Sequence, residues 1–551
     1  MDSLHSKLKT IVIFASMAAS MGALNSGFNT SAVNIPGNNV RYCPNVPRGV
    51  QTYFPNSPFP ECVATGMFAV GGLVGALIAG PMAEWLGRRD SMMAINVTFF
   101  IGAILLSLST SSAQFAIGRI FVGIGSGFMT VVISMYIAEI TPPRFRGTMG
   151  SLLQLFMTIG ILVIQLIGLG TSSAVGWRIV VMLTIVPTII QMICLPMCPR
   201  SPRWLISKGR IDEARESLLR LRTGDIEQEF TDMVLALTKG ATTGGGDNGV
   251  KKKMVENDAN GATVAGSTAA AAAAGDAGQN IDASLDGTGA RGTADADSGA
   301  GFQQDRQPEE GGVPGNDMEV SLNFFQVMKI PVLAKLSIKV LIIHATSQLT
   351  GINAIMYYST NIFENSFGDN ARYATVGVGA LNMLMTFVAL ALVDRVGRKI
   401  LMSVSAGGMC LFGVLETIGL RFDIGALQVV CVLLFVASFA IGLGIIPFLY
   451  TAEVYPTYAV SGASSAALTV NWLCNFIIGL IFPTLQNACG PYVFLIFAGI
   501  ALFTCIFLIL FIPETKQKSI EDIGRQVGWY HVDPTKVVPS ARPSMDTETK
   551  P

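Results

Sequence analysis

The chain states one pattern twice, and that repetition limits what it can fold into. Gly80-Pro81-Met82-Ala83-Glu84-Trp85-Leu86-Gly87-Arg88-Arg89 closes one apolar run, and Asp394-Arg395-Val396-Gly397-Arg398-Lys399 closes another. Ala138-Glu139-Ile140-Thr141-Pro142 recurs as Ala452-Glu453-Val454-Tyr455-Pro456. Pro199-Arg200-Ser201-Pro202-Arg203 is loosely echoed by Pro513-Glu514-Thr515-Lys516. The three offsets are 310, 314 and 314 positions. Matched junctions at nearly one offset imply two homologous halves in one chain.

The junctions border runs long enough to cross a bilayer as helices, which takes about 20 mostly apolar residues. Twelve such runs are read, near 11–33, 62–83, 91–110, 115–138, 148–170, 178–198, 333–360, 372–393, 400–420, 427–452, 462–486 and 490–512. Hydrophobic residues make up 51% and charged residues 13%, which excludes an ordinary soluble domain. A net charge of zero gives no reason to invoke nucleic acid. The expected fold is an all-α membrane protein of twelve transmembrane helices in two pseudo-symmetric six-helix halves. Parallel halves with a cavity between them are the architecture of a transporter. No nucleophile–base pair, metal cluster or nucleotide motif is read, so neither an enzyme nor a cofactor is expected.

The organisation follows: residues 1–198 and 319–512 are the halves, 199–239 a cytoplasmic helical segment, 240–318 an insert and 513–551 a tail. Leu205, Ile206, Ala214, Leu218, Leu219 and Leu221 alternate with charges in the helical segment. The insert carries Gly244 to Gly246, Ala269 to Ala274 and no aromatic residue before Phe302. Such a composition predicts disorder, because little apolar burial is available to offset ordering entropy. The first run, with Lys7 and Lys9 ahead of it, is read as a retained helix. Lys and Arg concentrate in loops on one side, which predicts cytoplasmic termini, with the plasma membrane as the default residence. Cys43 and Cys62 flank the one sizeable external loop and are either a disulfide or two free thiols. The other seven cysteines are read as small packing residues.

The motifs resemble those of the sugar porters of the major facilitator superfamily, and among them the facilitative glucose transporters. The stretch Gln348-Leu349-Thr350-Gly351-Ile352-Asn353-Ala354, continuing through Tyr357-Tyr358-Ser359-Thr360, is the most specific. Gly118-Arg119-Ile120, Arg146-Gly147, Asn471-Trp472 and Gly490-Pro491-Tyr492-Val493-Phe494 add to it. The resemblance implies the major facilitator fold and uniport of a monosaccharide, a hexose such as glucose, by alternating access. A proton-coupled symporter and a non-transporting sugar receptor are the alternatives. It carries sugar contacts to Gln154, Gln348, Asn353, Asn382 and Trp472. It assigns gating to Tyr357, Tyr358, Gly351 and Pro447, and a cytoplasmic charge network to Glu84, Arg88, Arg89, Glu139, Arg146, Asp394, Arg398, Lys399 and Glu453.

The residues support this independently. Gln154, Thr158 and Gln165 share one helix face by spacing. Gln348 and Asn353 are about 140° apart on an ideal helix, so they serve one cavity only if the helix breaks, and Gly351 lies between them. Neutral amides, each with donors and an acceptor, suit a neutral polyol.

Several positions depart from the family pattern: Ser347, Ala440 and Phe448 replace larger polar or indole groups, and His344 stands where the family has Gln. These and Asn471 are further candidates for the substrate site, with His344 read as a structural, neutral imidazole. Arg200 replaces an acid, so the charge latch is either weakened or compensated by neighbours. Asn29 occupies the position where proton-coupled relatives carry Asp, and it cannot titrate. Glu416, near the outer end of its run, is read as a snorkelling surface residue, with a substitute proton carrier as the alternative.

Overall fold

The computed structural model describes residues 8–36, 61–142, 145–171, 176–224, 226–231, 233–234, 322, 324–516, 518, 520–530 and 532. Cys43, the 240–318 insert and the last part of the tail lie outside them, as do the side chains of Cys62 and Asp394. The disulfide and the predicted disorder of the insert therefore concern residues outside the described part.

Among the described residues the regular structure is helical throughout. Eleven helical stretches are long and apolar enough to cross a membrane, and the last of them, Tyr458–Phe511, has 54 residues. At 1.5 Å per residue that is about 80 Å, against about 30 Å of hydrocarbon. The chain turns back at Gly490, where φ is +54°. The stretch is thus two crossings, Thr457–Cys489 and Val493–Phe511, and the total of twelve agrees with the hydropathy pattern. Large apolar side chains such as Leu77, Ile193 and Leu510 are exposed on the outside of the bundle, as a lipid solvent requires.

The first six spans are Thr10–Ser31, Glu61–Leu86, Arg88–Ser107, Ser112–Ile140, Arg146–Gly170 and Gly176–Met197. The seventh is split into Pro331–Leu349 and Ile352–Phe367, and the tenth into Gly425–Ile441 and Ile446–Val454. The eighth is Ala371–Val396 and the ninth Arg398–Arg421. Within the first half, spans 2 and 4, 1 and 5, and 3 and 4 pack together; within the second, 9 packs on 10 and 12, and 7 on 11. The halves meet where span 2 packs on 11, span 5 on 8, and span 1 on the second piece of span 7. Close approach holds helices together where lipid tails are as apolar as leucine. Gly72 shows it: a Cβ there would stand 2.2 Å from the Trp472 ring.

The internal repeat is reproduced in atomic detail on the face that carries the termini. Gly87 and Gly397, at equivalent points of the repeated motif, both take positive φ, +90° and +111°. Arg88 Nε donates to Glu139 at 3.0 Å and its Nη1 to the Ala83 carbonyl at 3.2 Å. Arg398 Nη2 donates to Glu453 at 2.8 Å and its Nη1 to the Val393 carbonyl at 3.2 Å. The Ser201 hydroxyl completes the first cluster on Glu139, and Thr515 completes the second on Glu453 at 2.6 Å.

The segment after the sixth span forms helices Pro202–Ser207 and Ile211–Leu221. Ser201 caps the first by accepting from Trp204 N at 3.3 Å. Trp204, Leu205, Ile206, Ala214, Leu218, Ile226, Phe230 and Val234 make a small core of their own. Leu219 is 49% exposed, one residue around from the face that Leu218 uses. The seven cysteines outside the loop pair are free thiols. Burial pushes the Cys198 thiol up to about 11, so it stays protonated and unreactive at neutral pH.

Candidate functional site

The seventh span breaks where its sequence says it should. Gly351 sits at φ +91° between the two pieces, a left-handed conformation that costs glycine nothing. The break turns Gln348 and Asn353 toward each other, and Asn353 Nδ2 donates to Gln348 Oε1. A Cβ at position 351 would also lie 2.6 Å from the Phe497 ring, so packing as well as backbone conformation reserves the site for glycine. Gln348 and Gln154 are half-buried. Asn382 and Asn471 are buried, and Asn382 Oδ1 and Asn471 Nδ2 have no partner among the described residues. The structure shows no contact that ties Asn382 to the Gln348–Asn353 pair.

Trp472 and Phe448 project from the second half into the core of the first. Trp472 Nε1 donates to Thr130 Oγ1 at 3.3 Å, and its ring stands edge-on to Phe68 at 5.8 Å. Phe448 stands edge-on to His344 at 5.3 Å. Ser347 is buried and its hydroxyl donates to the His344 carbonyl at 2.9 Å, so that hydroxyl is committed to its own helix. Ala440 is buried just before the break in span 10. Pro447 opens the second piece of that span, where a missing N–H is not needed. Gln165 Nε2 donates to Ser31 Oγ at 2.9 Å, so it braces spans 5 and 1. Thr158 bonds its own helix at Leu155 O, at 2.9 Å.

Tyr357 and Tyr358 are buried against span 11. Tyr357 donates to Asn475 Oδ1 at 2.8 Å and Tyr358 to the Gly479 carbonyl at 2.9 Å. Sequence reasoning missed the contact that joins this segment to the other half. Asn34 Nδ2 donates to the Met356 carbonyl at 2.6 Å and to Ser359 Oγ at 2.9 Å, while Thr360 N donates to Asn34 Oδ1 at 3.2 Å. Asn475 was likewise missed. Neither residue has a motif, because each acts through another helix's backbone or side chain.

One reading of a charged position changes. Glu416 is 1% exposed, and neither carboxyl oxygen has a partner among the described residues. It does not snorkel, because the starts of spans 10 and 12 cover the outer end of span 9: Gly413 meets Ala498 and Phe494, and Gly419 meets Gln428 and Leu427. Arg200 donates to Asp90 Oδ2 at 2.9 Å, as the reading of compensation by a neighbour expects. Of the remaining network, Arg89 pairs with Asp90 at 2.8 Å, and the Glu84 carbonyl accepts from Trp204 Nε1 at 2.9 Å. Glu514 accepts from the backbone N–H groups of Arg398 and Lys399 at 2.9 and 3.0 Å. Asn29 is buried, and its carbonyl accepts from Arg119 Nη1 at 2.9 Å.

The arrangement is a set of neutral amides and aromatic rings at the join of two halves, beside one broken helix. Comparison with known proteins identifies the family of the chain. The chain is 31% identical over 541 residues to solute carrier family 2, facilitated glucose transporter member 3, of Mus musculus, covering 94% of this chain and 93% of that one. It is 29% identical to member 4 of the same family from Homo sapiens, covering 98% and 94%. Among solved structures, the proton:xylose symporter XylE, bound to 6-bromo-6-deoxy-D-glucose, superposes with a TM-score of 0.67 at 21% identity, covering 94% of this chain and 100% of that one. That likeness identifies the fold as that of the major facilitator superfamily. The sequence profile described as "Sugar (and other) transporter" matches residues 11–258 and 302–527, and the chain belongs to that family.

Proposed function

We propose that the protein carries a monosaccharide, with glucose as the first candidate, across the membrane by alternating access and without ion coupling. The observation that carries this reading is the Gln348–Asn353 amide pair at the Gly351 break. Uncharged donors and acceptors at a helix break near the bilayer midplane can bond sugar hydroxyls and demand no charge from the substrate. Asn382 Oδ1 and Asn471 Nδ2, buried and unpaired, supply an acceptor and a donor of the same kind. The Trp472 and Phe448 rings can cover the apolar face of a pyranose. Gln154 joins the set from span 5.

The relatives named as facilitated glucose transporters support uniport over symport. So does Asn29, a side chain that cannot carry a proton. The Arg and Lys content of that face supports cytoplasmic termini, and the plasma membrane is the proposed membrane of residence. The test is uptake by purified protein in liposomes, with a panel of hexoses, pentoses and polyols, in the presence and absence of an inward proton gradient. Saturable, proton-independent glucose flux is expected. Sustained accumulation against a sugar gradient, abolished by a protonophore, refutes uniport, and no flux of any sugar refutes transport.

A further inference from the structure

Two buried hydrogen bonds join the broken helices of the second half on the side that carries the termini. His344 Nε2 lies 3.0 Å from Thr451 Oγ1, and Tyr455 OH donates to Ser337 Oγ at 3.0 Å. All four residues are no more than 2% exposed. Ser337 and His344 are seven apart, two turns on one face of the first piece of span 7. Thr451 and Tyr455 are four apart, one turn on one face at the end of span 10. The pairs therefore make a two-rung ladder between antiparallel helices. Thr451 Oγ1 is also 2.8 Å from the Pro447 carbonyl, to which it donates, and the direction of the His344–Thr451 bond follows the imidazole tautomer. His344 is thus tied through Thr451 to Pro447, the residue that opens the helix after the break at Gly442–Ile445.

We infer that Pro331–Leu349 and Ile446–Val454 move as one rigid body during the transport cycle, with His344 as the positioning residue that couples them. The inference rests on the transport reading. Gln348 lies one turn from His344, so a sugar contact at the Gly351 break is passed to span 10 by the ladder rather than through lipid or loop. A broken helix left to itself would swing about its break; this one is pinned at two points on the far side of it.

The test compares Thr451→Val, which keeps the shape and removes the hydroxyl, with Thr451→Ser, which keeps the hydroxyl, and with Tyr455→Phe. Hydrogen exchange is measured on the full-length protein in detergent without sugar. The Val and Phe variants combined are expected to accelerate exchange in 446–454 at least tenfold while 398–421 stays unchanged, and the Ser variant is expected to match the parent. Equal exchange in all variants overturns the ladder. In liposomes the same pair is expected to change glucose kcat at least fivefold with KM held within twofold. A changed KM at constant kcat also overturns it, because His344 and Thr451 would then act on the sugar directly. If the parent protein moves no sugar, the transport reading fails, and the exchange experiment still decides whether the two helices are coupled.

Discussion

Asn34 donates to the Met356 carbonyl at 2.6 Å, across 322 positions of sequence and across the join between the halves. With Ser359 and Thr360 it makes a three-bond clasp between span 1 and the second piece of span 7. The clasp lies on the face opposite the termini. On the terminal face, the pairs Arg88–Glu139, Arg200–Asp90 and Arg398–Glu453 each join elements of one half. The conformation described is therefore closed on the clasp side.

Asn34→Ala removes that clasp. Buried bonds contribute about 0.5–1.5 kcal/mol each, and a loss of about 2 kcal/mol shifts a two-state equilibrium about 30-fold. The shift runs away from the state closed on this face. Hydrogen exchange across 352–367 should accelerate at least tenfold, and an unchanged rate would show that other contacts hold the join.

Gln348→Ala should weaken hexose binding by roughly fivefold or more, since a hydrogen bond is lost and Asn353 Nδ2 is left without its acceptor. Ser347→Gln, by contrast, should not gain affinity. The Ser347 hydroxyl is bonded to the His344 carbonyl and the side chain is buried, so a longer amide has no open space to enter. Competitive uptake with both variants checks this; a gain in affinity for Ser347→Gln would show that the position faces the sugar after all.

Gly72→Ala places a methyl group 2.2 Å from the Trp472 ring. Spans 2 and 11 must separate or the ring must leave Thr130. Overpacking of this kind costs about 1–3 kcal/mol. A lower melting temperature in detergent is expected, together with reduced transport. A variant as stable and active as the parent would mean that the ring moves freely.

Deleting 240–318 while keeping 199–239 should leave transport intact at matched surface amounts. The expectation comes from composition, and from the fact that Trp204, Leu218 and Phe230 form their core without it. A tenfold loss of flux at equal surface expression would give the insert a role in the cycle.

The parts of the fold legible in the sequence are those set by local rules. Twelve spans follow from hydropathy, and the break in span 7 follows from a glycine between two amides that need a common cavity. What could not be read depends on which helices become neighbours. Glu416 looked exposed because it is near the end of its run, yet spans 10 and 12 cover that end. Asn34 sits just beyond a helix end, where no periodicity marks a contact with a helix 322 positions away. The partner of His344 could not be read either, since Thr451 lies in a different broken helix.

The two halves also serve as controls for each other. In the second half Glu514 caps the N-terminus of span 9, where the backbone N–H groups of Arg398 and Lys399 need an acceptor. In the first half the corresponding helix carries its acid within its own first turn, as Asp90, and the position that matches Glu514 is Arg200. The negative charge that the helix dipole favours sits on the helix itself in the first half and on the facing segment in the second, and Arg200 pairs with it where it sits on the helix. Positions 90 and 200 are therefore epistatic. Restoring the acid at 200 alone would set two carboxylates against each other beside Arg89, whereas Arg200→Glu together with Asp90→Ile would rebuild the arrangement of the second half, where Ile400 stands at the position that matches Asp90. A substitution scan that changes one position at a time would miss that the two positions act as a pair.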